Sequence, residues 1–426
     1  MKYIVILIDG AADYRIGELG DKTPLEYAFT PALDTLAAKS EMGIVKTIPD
    51  GMAPGSDTAN LSVLGYDPVK YYTGRSPFEA VSIGINLTED DVTFRCNLVT
   101  LSEEDKYSDR IMLDYSAGEI PTEESKVLIE YLGSKLRTDK IKFYPGVSYR
   151  HVIVWSGGPD KNILTPPHDI PGKKIHDFLP EGPGSSVLLD MMERSTVILR
   201  EHPINRERVK KGLNPANSIW IWGEGRKPAL DSFYEKYKLK GSIISAVDLI
   251  KGIGILAGLT PITVKGATGT INTNFKGKTS AAVKELTGGK DFVYLHIEAT
   301  DECSHQGNLA CKVRALEIID REVVGPIKEA LDREHLDYRM MILPDHYTPI
   351  SVRTHTLEPV PFMIYDSTKD SMKDSIKVTG NNLTGNNLDK LGELRRKRFN
   401  EITARETGLY FKEGYKLLDH FLRKQT

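Results

Sequence analysis

Three carboxylates in this chain stand just beyond short apolar runs. Asp9 follows Tyr3–Ile8, Asp301 comes a few residues after Phe292–Ile297, and Asp345 follows Met340–Leu343. A lone aspartate at the end of a strand is usually a turn former or a helix cap. Here histidines travel with two of the three. His305 lies four residues beyond Asp301, His346 is adjacent to Asp345, and His355 follows in Thr354-His355-Thr356. A mixed carboxylate and imidazole donor set suits Mn²⁺ or Zn²⁺ better than Ca²⁺. Two Asp/His sets imply two ions, which lie about 3.5–4 Å apart when they share a phosphoryl substrate.

A candidate nucleophile accompanies them. Ser56 stands in Pro54-Gly55-Ser56-Asp57-Thr58-Ala59-Asn60, ahead of an apolar run at helical spacing. Gly55 permits close approach, and a helix start at Ser56 would offer free N–H groups to an anion. A serine hydroxyl needs activation, which coordination of its oxygen to a metal supplies. Two other motifs fail. Gly252-x-Gly254-x-x-Ala257 has no strand immediately before it and reads as a helix, not a dinucleotide fingerprint. Gly277-Lys278-Thr279 ends like a phosphate-binding loop, but Asn272 stands where the required upstream glycine should be.

These residues need elements to hold them. Apolar strand-like runs, including Ser218–Trp222, alternate with helical patterns at Thr30–Lys39, Val187–Leu199, Ala246–Ala257 and Leu309–Leu331. Such alternation predicts an α/β fold, a mostly parallel sheet sandwiched by helices. Sites in such sheets form beyond the carboxyl ends of the strands, where the three aspartates would converge. Residues 88–180 break the pattern. They read as strands at Val92–Leu101 and Arg110–Tyr115, a helix at Thr122–Leu136, strands at Lys142–Phe143 and Tyr149–Trp155, then a Pro/Gly-rich stretch. The expectation is a smaller α+β domain at 88–180, inserted into a catalytic domain built from 1–87 and 181–426. Asn381–Leu383 and Asn386–Leu388 echo each other, but one short echo is not a repeat.

Composition sets the class. The 426 residues are 40% hydrophobic and 27% charged, enough to fold a large domain with a smaller one. A formal net charge of −3 argues against a nucleic-acid-binding surface. Arg395-Arg396-Lys397-Arg398 reads as a solvated helix face. Cys96, Cys303 and Cys311 contain no Cys-x-x-Cys pair, and an odd count suits a reducing compartment. The run Tyr3–Ile8 is too short for a signal peptide or a membrane span. A soluble, cytoplasmic protein with no membrane partner is expected.

Taken together, Asp9-Gly10, Gly55-Ser56-Asp57 with Asn60, Thr73-Gly74-Arg75, Asp301-x-x-x-His305-x-Gly307, Asp345-His346 with Thr348-Pro349, and His355 with Pro359-Val360-Pro361 carry a resemblance. They resemble the cofactor-independent (2,3-bisphosphoglycerate-independent) phosphoglycerate mutases, in the archaeal-type branch of the alkaline phosphatase superfamily. The resemblance implies one metal on Asp301, His305 and His355, and another on Asp9, Ser56, Asp345 and His346. Mn²⁺ is the first choice, with Zn²⁺, Co²⁺ or Mg²⁺ as alternatives. It further implies that Ser56 takes the phosphoryl group of a small phosphorylated acid, 3-phosphoglycerate, and returns it to the 2-hydroxyl. Lys265 falls where the family has a lysine beside the nucleophile. Arg75, Asp109, Arg110, Arg150 and His151 are implied substrate contacts, and the inserted domain resembles a cap that closes over substrate. Pro344 and Tyr347, flanking Asp345-His346, depart from the family pattern. The Tyr72-Thr73-Gly74-Arg75 segment also resembles members proposed as homoserine kinases, so phosphotransfer to another acceptor, or hydrolysis, stays open.

Overall fold

The computed structural model describes residues 1–374 and 398–422. The Asn381–Leu383 and Asn386–Leu388 echo and residues 395–397 of the basic cluster lie outside them. Two compact units form, one from Met1–Tyr72 with Leu230–Thr426, the other from Thr73–Ala229.

The first unit is organised around an eight-stranded sheet. Its order is Tyr410–Phe411, Glu41–Val45, Val360–Asp366, Tyr338–Leu343, Lys2–Ile8, Phe292–Ile297, Gly241–Ile244, Thr260–Ile262. Neighbours run parallel except at the two edges of Val360–Asp366. The central strands are buried and mostly apolar because both faces are covered, as parallel sheets require. Register then fixes chemistry. Leu7 pairs with both His296 and Leu343, so Asp9 and Asp345 leave the same sheet edge level with each other. Asp301 follows on the short helix Ala299–His305, just past the end of Phe292–Ile297.

The expected helices are present, with Pro31 in the first turn of Pro31–Ala37. The run read as Leu309–Leu331 is interrupted by a π-helical turn at Asp320–Val324. The Asp320 carboxylate there accepts hydrogen bonds from the backbone N–H groups of Ala32 and Leu33.

The second unit corrects the expected boundaries of 88–180. The run Ser218–Trp222, assigned from its pattern to the large sheet, lies in a strand Ser218–Arg226 that instead pairs antiparallel along Asp91–Leu101. Helix Ser185–Arg200 packs against it, burying Leu188, Met191, Met192 and Leu199 in the same core as Val92, Phe94, Cys96 and Leu98. The pattern identified the strand correctly, but pairing partners are chosen over more than a hundred residues, which local periodicity does not encode.

Two further expectations are corrected. Cys303 and Cys311 are joined in a disulfide, their Cα atoms 5.5 Å apart, and only Cys96 is free. Arg398 is not a solvated cation: it donates to the Asp34 carboxylate and to the carbonyls of Glu26 and Ala28. Among the described residues no helix is long and apolar enough to cross a membrane.

Candidate active site

Asp9, Ser56, Asp345 and His346 meet at the carboxyl end of the central strands. The Nε2 of His346 lies 3.1 Å from Ser56 Oγ, 3.6 Å from Asp9 Oδ1 and 3.3 Å from Asp345 Oδ2. Ser56 opens the helix Ser56–Val63, whose N-cap is Gly55, so its hydroxyl is not consumed in capping. Any Cβ at Gly55 would stand 2.7 Å from Asp57 Oδ1, which accounts for glycine there. Asn60, one turn on, donates both to the Ser56 carbonyl at 2.8 Å and to Asp345 Oδ2 at 3.0 Å, while Tyr294 donates to Asn60 Oδ1. The helix that Ser56 opens is thereby tied to Asp345 of the opposite loop and to the sheet.

A second cluster adjoins the first. Asp301 Oδ2 is 3.1 Å from His305 Nε2, and Asp301 Oδ1 is 3.5 Å from His355 Nε2. His305 Nδ1 faces the Arg353 carbonyl at 2.9 Å. Burial pushes the Asp301 carboxyl up, but hydrogen bonds from His305 and His355 outweigh it and hold it well below the carboxylate range. The same bond from Asp301 raises His305 to about 9.

Thr348 joins the two clusters. Its hydroxyl donates to Asp301 Oδ1 at 2.6 Å, leaving its oxygen to accept from His346 Nδ1 at 3.1 Å. That network places the His346 proton on Nδ1 and turns a lone pair on Nε2 toward Ser56 and the carboxylates.

The donor set fits metal ions. Asp9, Asp345 and His346 offer ligand atoms within 4.8 Å of one another, as do Asp301, His346 and His355. Asp9 Oδ1 is buried without a hydrogen-bond donor. Burial first, then the charges of Asp345, Asp301 and Glu298, push the Asp9 carboxyl far above its ordinary value. Carboxylates crowded in a dry site with too few donors match a cation. A hollow of about 520 Å³, lined partly by Tyr14, Pro54, His355 and Glu358, opens beside the second cluster.

Several contributors carried no legible signal. His296, inside an apolar strand, puts Nε2 3.0 Å from Asp9 Oδ2, and burial lowers it to about 3. Lys278, part of the rejected phosphate-loop motif, is fully buried on helix Phe275–Thr287 and donates to the His296 carbonyl at 3.1 Å. Burial draws it down to about 8 against the pull of Glu298 and Asp9. Lys278, rather than Lys265, is the lysine whose charge acts on Asp9. Lys265 is exposed on a loop, its carbonyl accepting from Asn274, and its ammonium has no hydrogen-bond or ion-pair partner among the described residues. The loop itself is seated at the site's margin, since a Cβ on Gly269 would strike the Glu298 carboxylate.

The five residues expected to touch substrate all lie in the second unit, and they separate. Arg75 and Arg95 share the Glu79 carboxylate, Arg95 also stacks on Trp222, and the charge of Arg150 is felt at Arg95. This arginine cluster was half visible: Arg95 was missed because it sits inside a strand. His151 is buried, its Nδ1 accepting from Gly146 N–H, and burial lowers it to about 3. It serves the strand rather than an open site. Asp109 is exposed, and Arg110 is buried against Tyr107 and the Glu104 carbonyl, beyond the Leu101 end of the strand that carries Arg95.

Residues 37–205 match the family model described as 2,3-bisphosphoglycerate-independent phosphoglycerate mutase. A protein of that name from Methanosarcina acetivorans is 50% identical over 86% of this chain and 90% of its own length. The chain belongs to that family. A Geobacter sulfurreducens protein named as a probable mutase of the family is 45% identical over 99% of this chain and all of its own length. The solved structure titled cofactor-independent phosphoglycerate mutase from Thermoplasma acidophilum is 28% identical, covers 99% of both chains and superposes with a TM-score of 0.64. A Pyrococcus horikoshii protein structure reaches 0.76 at 30% identity, over 100% of this chain and 98% of its own. Family membership favours the mutase over the homoserine kinase-like alternative, because both would share the metal and serine chemistry and only the relatives' names separate them.

Proposed function

We propose that this protein interconverts 3-phosphoglycerate and 2-phosphoglycerate through a phosphoserine at Ser56. The observation that carries this reading is the Ser56 hydroxyl, free of capping duty and 3.1 Å from an imidazole lone pair that also faces two carboxylates. Asp9, Ser56, Asp345 and His346 would hold one divalent ion and Asp301, His305 and His355 another, Mn²⁺ foremost. Bound ions would neutralise charge on the phosphoryl oxygens and lower the serine pKa. Ser56 Oγ gives up its proton and attacks phosphorus, the bond to the 3-oxygen of glycerate breaks, and that oxygen takes a proton. The 2-hydroxyl of the reoriented glycerate then gives up its proton and attacks the phosphoserine, the bond to Ser56 Oγ breaks, and Ser56 takes a proton back. Lys265 contributes positive charge to the phosphoryl group from its exposed loop. Arg75, Arg95 and Arg150 recognise the acid's anionic groups, since a guanidinium fork pairs bidentately with carboxylate or phosphate.

The test is covalent. Mass spectrometry of metal-loaded enzyme quenched with 3-phosphoglycerate should find phosphate on the peptide bearing Ser56. Ser56→Ala should lose both the adduct and several orders of magnitude of turnover. Phosphate on another residue, or normal turnover by the alanine variant, would refute the mechanism.

A further inference from the structure

Arg110 is only 7% exposed, and among the described residues it forms no ion pair. Its Nε donates to the Glu104 carbonyl at 3.1 Å and its guanidinium stacks over Tyr107 at 5.7 Å. Among the described residues its two Nη nitrogens have no hydrogen-bond partner and no carboxylate within ion-pair distance. The guanidinium stays charged, and its Nη atoms, not enclosed by protein, keep their donors open to solvent and to an anion. Arg110 lines a cavity of about 380 Å³ in the second unit, a volume that suits a small metabolite.

The rest of the wall points the same way. Arg200, the last residue of helix Ser185–Arg200, and Arg206 and Lys210, one turn apart on helix Pro203–Lys210, face the same space. Arg206 is held by Glu201, whereas Arg200 and Lys210 have no ion-pair partner among the described residues. Glu103 is the one carboxylate on this wall, and Val209 and Pro215 supply an apolar side. A neighbouring hollow shares Arg110 and Arg200 and adds Glu104, Asp105, Glu193 and Glu201, so an anion is favoured on the Lys210 side alone.

We propose that this cavity is a second anion site, distinct from the arginine cluster of the same unit, which takes a phosphate group through Arg110 with Arg200 and Lys210. Arg110 supplies the preformed bidentate fork, and the two exposed cations supply attraction and closure. The ligand is a phosphate ion or a small phosphate monoester whose carbon part lies on Val209 and Pro215.

The metal-loaded full chain should be crystallised and soaked in selenate. An anomalous peak is expected within hydrogen-bond distance of the Arg110 Nη atoms. Calorimetric titration with inorganic phosphate should then resolve two binding events, one of them weakened at least about tenfold in Arg200→Ala/Lys210→Ala, the loss of about one charge-assisted contact. Both substituted residues are exposed, so this variant keeps its fold where Arg110→Gln could lose it. Its turnover and KM without phosphate should match the parent. A selenium peak confined to Arg75, Arg95 and Arg150, an isotherm unchanged by the double substitution, or a raised KM would each overturn the proposal.

Discussion

Thr348→Val removes one oxygen atom from the junction between the two ligand clusters. The residue is fully buried and valine has nearly its shape, so no cavity opens. The Thr348 backbone would still hold its place, since its carbonyl accepts from Lys312 Nζ at 3.0 Å and its N–H donates to the Ala12 carbonyl at 3.3 Å. What disappears is the donor to Asp301 Oδ1 and the acceptor for His346 Nδ1–H. A hydrogen bond to a charged partner is worth about 1.5–3 kcal/mol, and a buried donor left unsatisfied costs about 1–3 kcal/mol. The imidazole can recover part of this only by rotating or changing tautomer, which turns its lone pair away from the metal. Mn²⁺ affinity should therefore fall about 10–100-fold, the usual consequence of losing a residue that orients a metal-bound histidine. Competition titration against a metal-indicator dye measures this directly, with circular dichroism melts of metal-free protein as the stability control. Thr348→Ser keeps the hydroxyl and should bind within about threefold of the parent, well inside the spread expected of an intact hydrogen bond. Equal affinity in the valine variant, or an equal loss in the serine variant, would refute the argument.

Exhaustive chelation should abolish turnover and Mn²⁺ should restore it, because both clusters gather carboxylate and imidazole ligand atoms and Asp9 Oδ1 has no donor. Activity that survives chelation would remove the metals from the mechanism. Lys278→Met deletes a buried cation that feels Asp9 and Glu298 and its hydrogen bond to the His296 carbonyl, and should destabilise the metal-free protein by roughly 1–3 kcal/mol. Added Mn²⁺ neutralises the same carboxylates, so the deficit should shrink in melts with metal, and an undiminished deficit would contradict that account. Glu401, buried and accepting from Asp13 N–H and the Thr23 hydroxyl, is raised by burial to about 7. Below about pH 4.5 folded and unfolded chains both hold this proton. As pH climbs toward 7 the unfolded chain gives it up first, so stability falls, by at most roughly 3 kcal/mol. Urea midpoints of Glu401→Gln should lose that decline, and parallel pH profiles for parent and variant would show the shift to be unreal.

The sequence alone located Asp9, Asp301 and Asp345, because strands buried on both faces read as apolar runs that stop where the chain enters the site. It singled out Ser56, His305, His346 and His355 because polar groups near one another in sequence share a loop or a helical turn. It also determined that the chain is α/β with an insertion, since alternation of period survives even when boundaries blur. Tertiary structure decided the rest. His296 and Lys278 are a polar residue in an apolar strand and a lysine on an ordinary helix until register and packing carry both to Asp9. Thr348 could bridge two clusters only after strands separated by some three hundred residues lay side by side. Ser218–Arg226 had the pattern of either sheet, and hydrogen bonds to Asp91–Leu101 chose one. The same long-range pairing enlarged the inserted unit to Thr73–Ala229 and divided four of five expected substrate contacts among an arginine cluster, a strand histidine and a separate pocket, leaving Asp109 exposed. Local pattern reports the environment a residue prefers. Which charged groups share that environment is fixed by contacts between distant segments, and the chemistry depends on those contacts.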